Sequence, residues 1–303
     1  MENLWVPIVL AASALQTARN AGQKHLSGRM SPWLAAWVRF GFGLPIAVFY
    51  LLVVLLWYDL PLPPLNRAFV VPALSAALMQ IAGTVLLIHL FRLRNFAIGS
   101  TFVRTEVIMA GLLGSFVFAE SIDRWGWLAI VVSVAGVLLI CFVRSSVRGS
   151  SWFGSILNLS AGIGLLVGLC FCLASFFIRQ ASLSFADDNF VYTAALTFMV
   201  VVVLQTLCLG IYITLSHPRE FLKLAYTWRP SLFVGVTSAV GSIGWFTAMT
   251  IERVSYVKAL AQVEFVFALC VSIILFKERP TRLELFGMTL IALGVVVLLL
   301  FAR

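Results

Sequence analysis

Charge is what this sequence has least of. Only 11% of its 303 residues are Asp, Glu, Lys or Arg, where a soluble domain carries about 25%. With 62% hydrophobic residues and a mean hydropathy of +1.05, too few charges remain to give the fold a surface that water wets. That excludes a soluble globular protein and makes lipid the solvent. Catalytic motifs are missing as well. His25, His89 and His217 fall in different loops or at the ends of apolar runs, with no HExxH or GxSxG pattern nearby and no Walker motif in the chain. No enzymatic activity is expected, and ATP is excluded as an energy source within this chain. Cysteine is sparse and badly placed for chemistry. Cys141, Cys170, Cys172, Cys208 and Cys270 all lie inside apolar runs, with no CxxC pair and no histidine cluster. They read as small buried hydrophobes, so neither a metal, a cofactor nor a disulfide framework is expected. Acid is the scarcer sign, 12 Asp and Glu against 21 Lys and Arg, for a net charge of +9. The bases come in short clusters between apolar runs, with no continuous stripe to follow a phosphate backbone. They therefore exclude nucleic acid as a partner and read as topology signals and contacts to membrane lipids.

What is present is a series of long apolar runs. A helix needs about 20 apolar residues to cross ~30 Å of hydrocarbon. Ten runs qualify, near 3–22, 33–57, 67–90, 96–118, 125–143, 153–178, 189–214, 230–250, 254–275 and 282–301. Short connections carry the turn formers and charges, such as Pro61-Leu62-Pro63-Pro64 and His217-Pro218-Arg219-Glu220. None is long enough for a soluble domain. Ala12-Ser13-Ala14 has the look of a signal-peptide cleavage site, but Met1 to Trp5 holds Glu2 and no base, so the segment is read as the first span.

Tryptophans gather near span ends (Trp5, Trp33, Trp57, Trp125, Trp127, Trp152, Trp228), as in an interfacial belt, and Trp245 alone lies well inside a span. Small residues recur every four positions, at Ala14, Ala18 and Gly22 and at Gly164 and Gly168, a spacing for close helix packing. The loops after odd-numbered spans hold 13 Lys and Arg and the opposite side 5, with Arg39, Arg104 and Lys258 inside spans. The positive-inside rule then places both termini outside.

The chain also repeats itself. Shifted by 158 residues, Glu106 falls on Glu264, Ala110 on Ala268, Phe118 on Phe276, Glu120 on Glu278, Arg124 on Arg282 and Gly136 on Gly294. Gly83 meets Gly241 in the same register. The weight lies on the rare residues, two glutamates and a loop arginine. The reading is an all-α polytopic membrane protein, ten transmembrane helices as two inverted five-helix repeats, residues 1–148 and 149–303. Five spans per half is an odd number, so the second half must sit inverted. Inverted halves are a frequent transporter architecture, with the solute path near the midplane.

Phe118-Ala119-Glu120 through Trp127 and Gly136, and Phe276-Lys277-Glu278 through Gly287 and Gly294, each place a glutamate at the end of an apolar span. A short loop and a glycine-bearing last span follow. In this the chain resembles the EamA-like, ten-span members of the drug/metabolite transporter superfamily, over nearly its whole length as two five-span units. The resemblance implies a transporter of the bacterial-type inner (plasma) membrane, cytoplasmic termini against the charge bias, and a central cavity to which spans 4 and 9 contribute. Where many relatives have a proline in the fourth span of each repeat, this chain has Glu106 and Glu264.

Those glutamates lie about 15 Å into spans 4 and 9, at a rise of 1.5 Å per residue from Phe96 and Val254. An acid at that depth costs roughly 2.5–3.5 kcal/mol on insertion scales and should face protein or water. They are read either as sites for a proton or a cationic solute group, or as members of buried ion pairs with Arg39, Arg104 or Lys258 as partners. On a continuous helix Arg104 and Glu106 stand about 200° apart, as do Gln262 and Glu264. Either the stripe with Ser100 and Arg104, matched by Lys258 and Gln262, faces the cavity, or the glutamate stripe does. Trp245 is a candidate wall for a solute. Gln16, Gln80, Thr84, Ser238 and Ser242 are candidate cavity-lining residues, and each also suits an interhelical hydrogen bond. Glu120 and Glu278, at span ends, read as caps.

With no ATP motif, the energy source is an ion gradient or the solute's own gradient. The expected function is secondary transport of a small-molecule solute, with export of amino acids or other small metabolites and protons as coupling ion. A flippase for a lipid-linked headgroup and a non-transporting scaffold or sensor are the alternatives. A buried base suits a carboxylate-bearing solute and a buried acid suits a cation, so a zwitterion is compatible with both.

Overall fold

The computed structural model describes residues 4–63, 66–93, 102–146, 159–185, 188–267 and 281–302. Among them there is no strand. The helices are α1 (Trp5–Ser27), α2 (Pro32–Gly41), α3 (Leu44–Tyr58), α4 (Arg67–Arg92), α5 (Glu106–Phe116), α6 (Arg124–Ser146), α7 (Leu159–Leu183), α8 (Phe190–Ser216), α9 (Leu224–Ile251), α10 (Val254–Leu260) and α11 (Arg282–Phe301). A 3₁₀ turn, Pro218–Lys223, precedes α9. Six stretches are long and apolar enough to cross a membrane, namely Pro32–Tyr58, Arg67–Arg92, Leu159–Leu183, Phe190–Ser216, Pro218–Ile251 and Arg282–Phe301. Glu106–Phe116 and Arg124–Ile140 are shorter apolar helices. Leu52, Leu56, Leu215 and Leu300 are exposed along these helices, as suits side chains that meet lipid. The protein is a polytopic, all-helical membrane protein. Ser100, Trp152 and the Phe276-Lys277-Glu278 end of the second repeat lie outside the described residues.

Three expected spans are not continuous helices. Residues 33–57 divide into α2 and α3 at Phe42-Gly43. Gly41, Gly43 and Pro45 crowd the break, and Pro45 has no N–H to continue the ladder. Span 4 is interrupted by a turn at Arg104-Thr105, and span 9 by a turn at Ala261-Gln262. The 200° separation that holds on continuous helices therefore fails at the residues for which it mattered.

The chain forms two compact units that differ from the sequence halves. One comprises Met1–Arg92 and Leu173–Glu252, the other Leu93–Cys172 and Arg253–Arg303. In the first, α1 lies along α9. A Cβ on Gly22 would stand 2.6 Å from Val234 Cγ2, and one on Gly244 would stand 3.1 Å from the Cβ of Ala12, so small residues let these helices touch. Met30, Leu34, Phe40 and Ile88 fill the core between α2, α4, α8 and α9.

In the second unit α6 and α11 cross at backbone distance. A Cβ on Gly136 would lie 2.6 Å from the Gly287 carbonyl and 3.0 Å from Ile291. One on Gly294 would lie 2.9 Å from the Ala129 carbonyl and 2.1 Å from Ser133 Oγ. Shifting 129, 133 and 136 by 158 residues yields 287, 291 and 294. The contacts are thus reciprocal in the repeat register, as a pseudo-twofold pairing of α6 with α11 requires.

Candidate functional site

Each unit contains buried polar chemistry of its own. In the second unit the two glutamates meet bases from the opposite repeat. Arg104 Nη1 donates to Glu264 Oε2 at 3.0 Å, and its guanidinium also lies 4.4 Å from the centre of the Phe265 ring. Lys258 Nζ stands 2.5 Å from Glu106 Oε1. The helix breaks make this possible, because each turn lets a base and an acid only two or six residues apart leave their span toward the same neighbour. The exchange is reciprocal but not symmetric. The repeat mate of Arg104 is Gln262, which is buried and whose side-chain oxygen accepts no hydrogen bond among the described residues.

Glu120 ties these broken spans together. Ala119 takes a left-handed backbone, φ 54°, at the end of α5, an uncommon conformation for a residue other than glycine. The Glu120 carboxylate then accepts from the backbone N–H groups of Val254 at 2.8 Å and Ser255 at 3.2 Å and from Ser255 Oγ at 2.8 Å. Two otherwise orphaned donors at the start of α10 are satisfied. Tyr256 Oη donates to Asp123 Oδ1 at 3.0 Å alongside. Gly168 of α7 passes close by, since a Cβ there would lie 3.0 Å from the Val103 carbonyl.

The first unit holds a cavity. Arg39, 6% exposed, donates from Nε to Ser238 Oγ and from Nη1 to Thr84 Oγ1, each at 3.0 Å. Gln205 Nε2 donates to Gln80 Oε1 at 2.7 Å. Arg39, Gln80, Gln205, Ser238, Ser242, Phe40, Phe198 and Phe246 line a small space with room for about one water. The repeat register recurs, because Gln80 and Ser238, Thr84 and Ser242, and Phe40 and Phe198 are all 158 residues apart. Four of the five residues expected to line a cavity thus gather around Arg39. Gln16 is half-buried on α1 and is not in that lining. Trp245 is buried but does not line the cavity, where its neighbour Phe246 does.

Arg39 is the site residue that sequence reasoning passed over, having been weighed only as a partner for the glutamates. Its sequence signal was a lone base two residues before the Gly41-Phe42-Gly43 break. The structure instead holds it between Thr84 and Ser238. Among the described residues no group of His, Cys, Asp and Glu is arranged to hold a metal.

Comparison with known proteins agrees with this architecture. The profile of the EamA-like transporter family matches residues 3–142 and 158–300. Among solved structures, 28 chains match. One, described only as a crystal structure of a protein, is 15% identical, covers 100% of this chain and 99% of its own, and superposes with a TM-score of 0.71. At that identity the likeness concerns the fold alone. No curated protein sequence matches.

Proposed function

The chain belongs to the EamA-like transporter family, and from that premise we propose that it is a secondary transporter exporting amino acids or other small metabolites. In this reading it spans the inner membrane ten times, as two inverted five-helix halves, and is driven by protons. The observation that carries it is that the repeat-related glutamates each meet a base from the opposite repeat, Glu264 with Arg104 and Glu106 with Lys258. Two related repeats that exchange contacts of the same kind can rock between arrangements of similar energy, which is what alternating access needs.

The same pairs supply a coupling device. While each glutamate touches its base, the charges of the pair meet each other inside the protein. When spans 4 and 9 part during the cycle, each carboxylate loses its base, and in this reading the coupling proton takes the place of that base. Proton uptake is thereby linked to the conformational change.

Proteoliposomes containing a pH dye test this, comparing wild type with Glu106→Gln and Glu264→Gln against a panel of amino acids and small metabolites. The expected result is solute-driven proton movement that either substitution abolishes in correctly folded protein. Solute flux of equal size without proton movement in all three proteins would show the carrier to be uncoupled and the glutamates structural.

A further inference from the structure

The Arg39 cavity is a charge arrangement that the fold leaves incomplete. Both hydrogen-bond acceptors of Arg39, Ser238 and Thr84, are neutral hydroxyls. The hydroxyls satisfy N–H groups, and the Phe40 ring, its centre 5.2 Å from the guanidinium carbon, adds a weak cation–π contact. Neither supplies a counter-charge, and an uncompensated charge inside a protein is far more costly than an unmade neutral hydrogen bond. No carboxylate among the described residues pairs with Arg39. Arg19, buried as well, adds a second positive charge to its field.

The space beside it offers donors. Gln80 spends its carbonyl on Gln205, which leaves its amide N–H₂ to donate, and the Ser242 hydroxyl has no partner among the described residues. A guanidinium, an amide N–H₂ and a hydroxyl around one small space form a receptor for an anion. Water would meet the hydrogen bonds but not the charge. The planar fork of a guanidinium matches the two oxygens of a carboxylate, and the aromatic wall of Phe198 and Phe246 suits the carbon that bears it. We infer that this cavity receives the carboxylate group of the transported solute. The assignment rests on the transport reading above and narrows it to solutes that carry a carboxylate.

Formate, the smallest carboxylate, is the probe; it is larger than one water, so its binding requires the walls of the cavity to yield. The Tm of purified wild type in detergent is followed as sodium formate or sodium chloride replaces gluconate, an anion too large for the cavity, at constant ionic strength. A ligand that binds only the folded protein raises Tm saturably. The expected result is a saturable rise of a few degrees with formate, a clearly smaller one with chloride, and loss of the formate effect in Arg39→Gln. Arg39→Lys keeps the charge but not the fork, so it should retain only a weakened response, and it serves if the glutamine variant does not fold. No formate response, an equal response to chloride, or a formate response that survives Arg39→Gln would overturn the assignment.

Uptake in proteoliposomes separates this failure from failure of the transport reading. Flux of a carboxylate-bearing amino acid by Arg39→Gln at the wild-type rate removes the site but leaves a transporter. Formate binding in a wild-type protein that moves no solute leaves the site but removes the transporter.

Discussion

In one compact unit Arg104 and Lys258 each end on a glutamate carboxylate, while in the other Arg39 ends on two hydroxyls beside a cavity. All three bases are set inside apolar spans, and composition alone gives no reason to treat them differently. The difference lies in what remains to be done with the charge. A base already neutralised by an acid from the opposite repeat has its electrostatic partner built in, and it binds helices to one another. A base held by neutral oxygens and a ring face has its geometry fixed but no counter-charge beside it among the described residues, which in the proposed reading leaves it for a ligand. Arg104 lies at the turn in its span, and Lys258 in the short helix α10 just before the turn in its own. Arg39 lies three residues before a break of its own, at Phe42-Gly43.

The sharpest way to break this comparison is to remove one acid. Glu264→Gln leaves Arg104 without its carboxylate, and losing one member of a buried pair costs about 3–5 kcal/mol when both are fully enclosed. Arg104 keeps 27% of its side chain exposed, so the expected loss is about 2–4 kcal/mol. It would be read from SDS-induced unfolding of the detergent-solubilised protein. Replacing both partners, Arg104→Met with Glu264→Met, should cost less than the single change, because no charge is left behind. A single variant as stable as wild type would mean the pair binds nothing together.

Arg39→Gln should behave in the opposite way. It forfeits two hydrogen bonds but also removes an uncompensated buried charge, so stability should change by no more than about 1 kcal/mol. Uptake of a carboxylate-bearing solute should fall at least about tenfold. A variant that loses stability as Glu264→Gln does, yet transports normally, would place Arg39 among the structural bases.

Part of this contrast was legible in the sequence. The register of 158 residues, read from Glu106 and Glu264 and from Gly136 and Gly294, reappears as reciprocal contacts, because rare residues seldom coincide at equivalent depth by chance. Glu120 as a cap was legible for a similar reason, since an acid at a span end seeks backbone N–H groups. The choice among bases was not. It depends on breaks at Arg104-Thr105 and Ala261-Gln262, which carry no proline or glycine to announce them. Arg39 was hidden by distance along the chain, since Thr84 is 45 residues away and Ser238 is 199. A polar residue in an apolar span shows that it needs partners, and only the packing says which.

Backbone contact sharpens the comparison on a smaller scale. In the paired unit the crossing of α6 with α11 has no room to spare, and a Cβ at 294 meets both Ser133 and a backbone carbonyl. Gly294→Ala should cost about 1–3 kcal/mol by overpacking. Gly162→Ala on α7, where nothing lies within 4 Å of the added carbon, should be neutral or stabilise by up to about 1 kcal/mol through reduced backbone freedom. The same SDS titration measures both, and a Gly294→Ala protein as stable as wild type would show that the crossing yields.

The smallest effects decide whether the contrast concerns charge or merely one unit being more fragile than the other. Each unit has a helix closed by the same kind of cap. Thr281 and Glu284 form a reciprocal capping box at the start of α11, with the threonine hydroxyl accepting from the Glu284 N–H at 3.2 Å and the carboxylate accepting from the Thr281 N–H at 2.8 Å. At the start of α2, Ser31 Oγ accepts from the Leu34 N–H at 3.3 Å, while the Ser31 N–H donates to Glu220 Oε2 at 3.0 Å. Thr281→Ala and Ser31→Ala remove equivalent hydroxyls, each with an expected loss of about 1 kcal/mol. Near-equal losses with unchanged uptake would show that the units tolerate ordinary damage alike, so that the large effect of Glu264→Gln belongs to its charge. A Thr281→Ala loss as large as that of Glu264→Gln would instead make fragility the cause, and the distinction between paired and unpaired bases would lose its support.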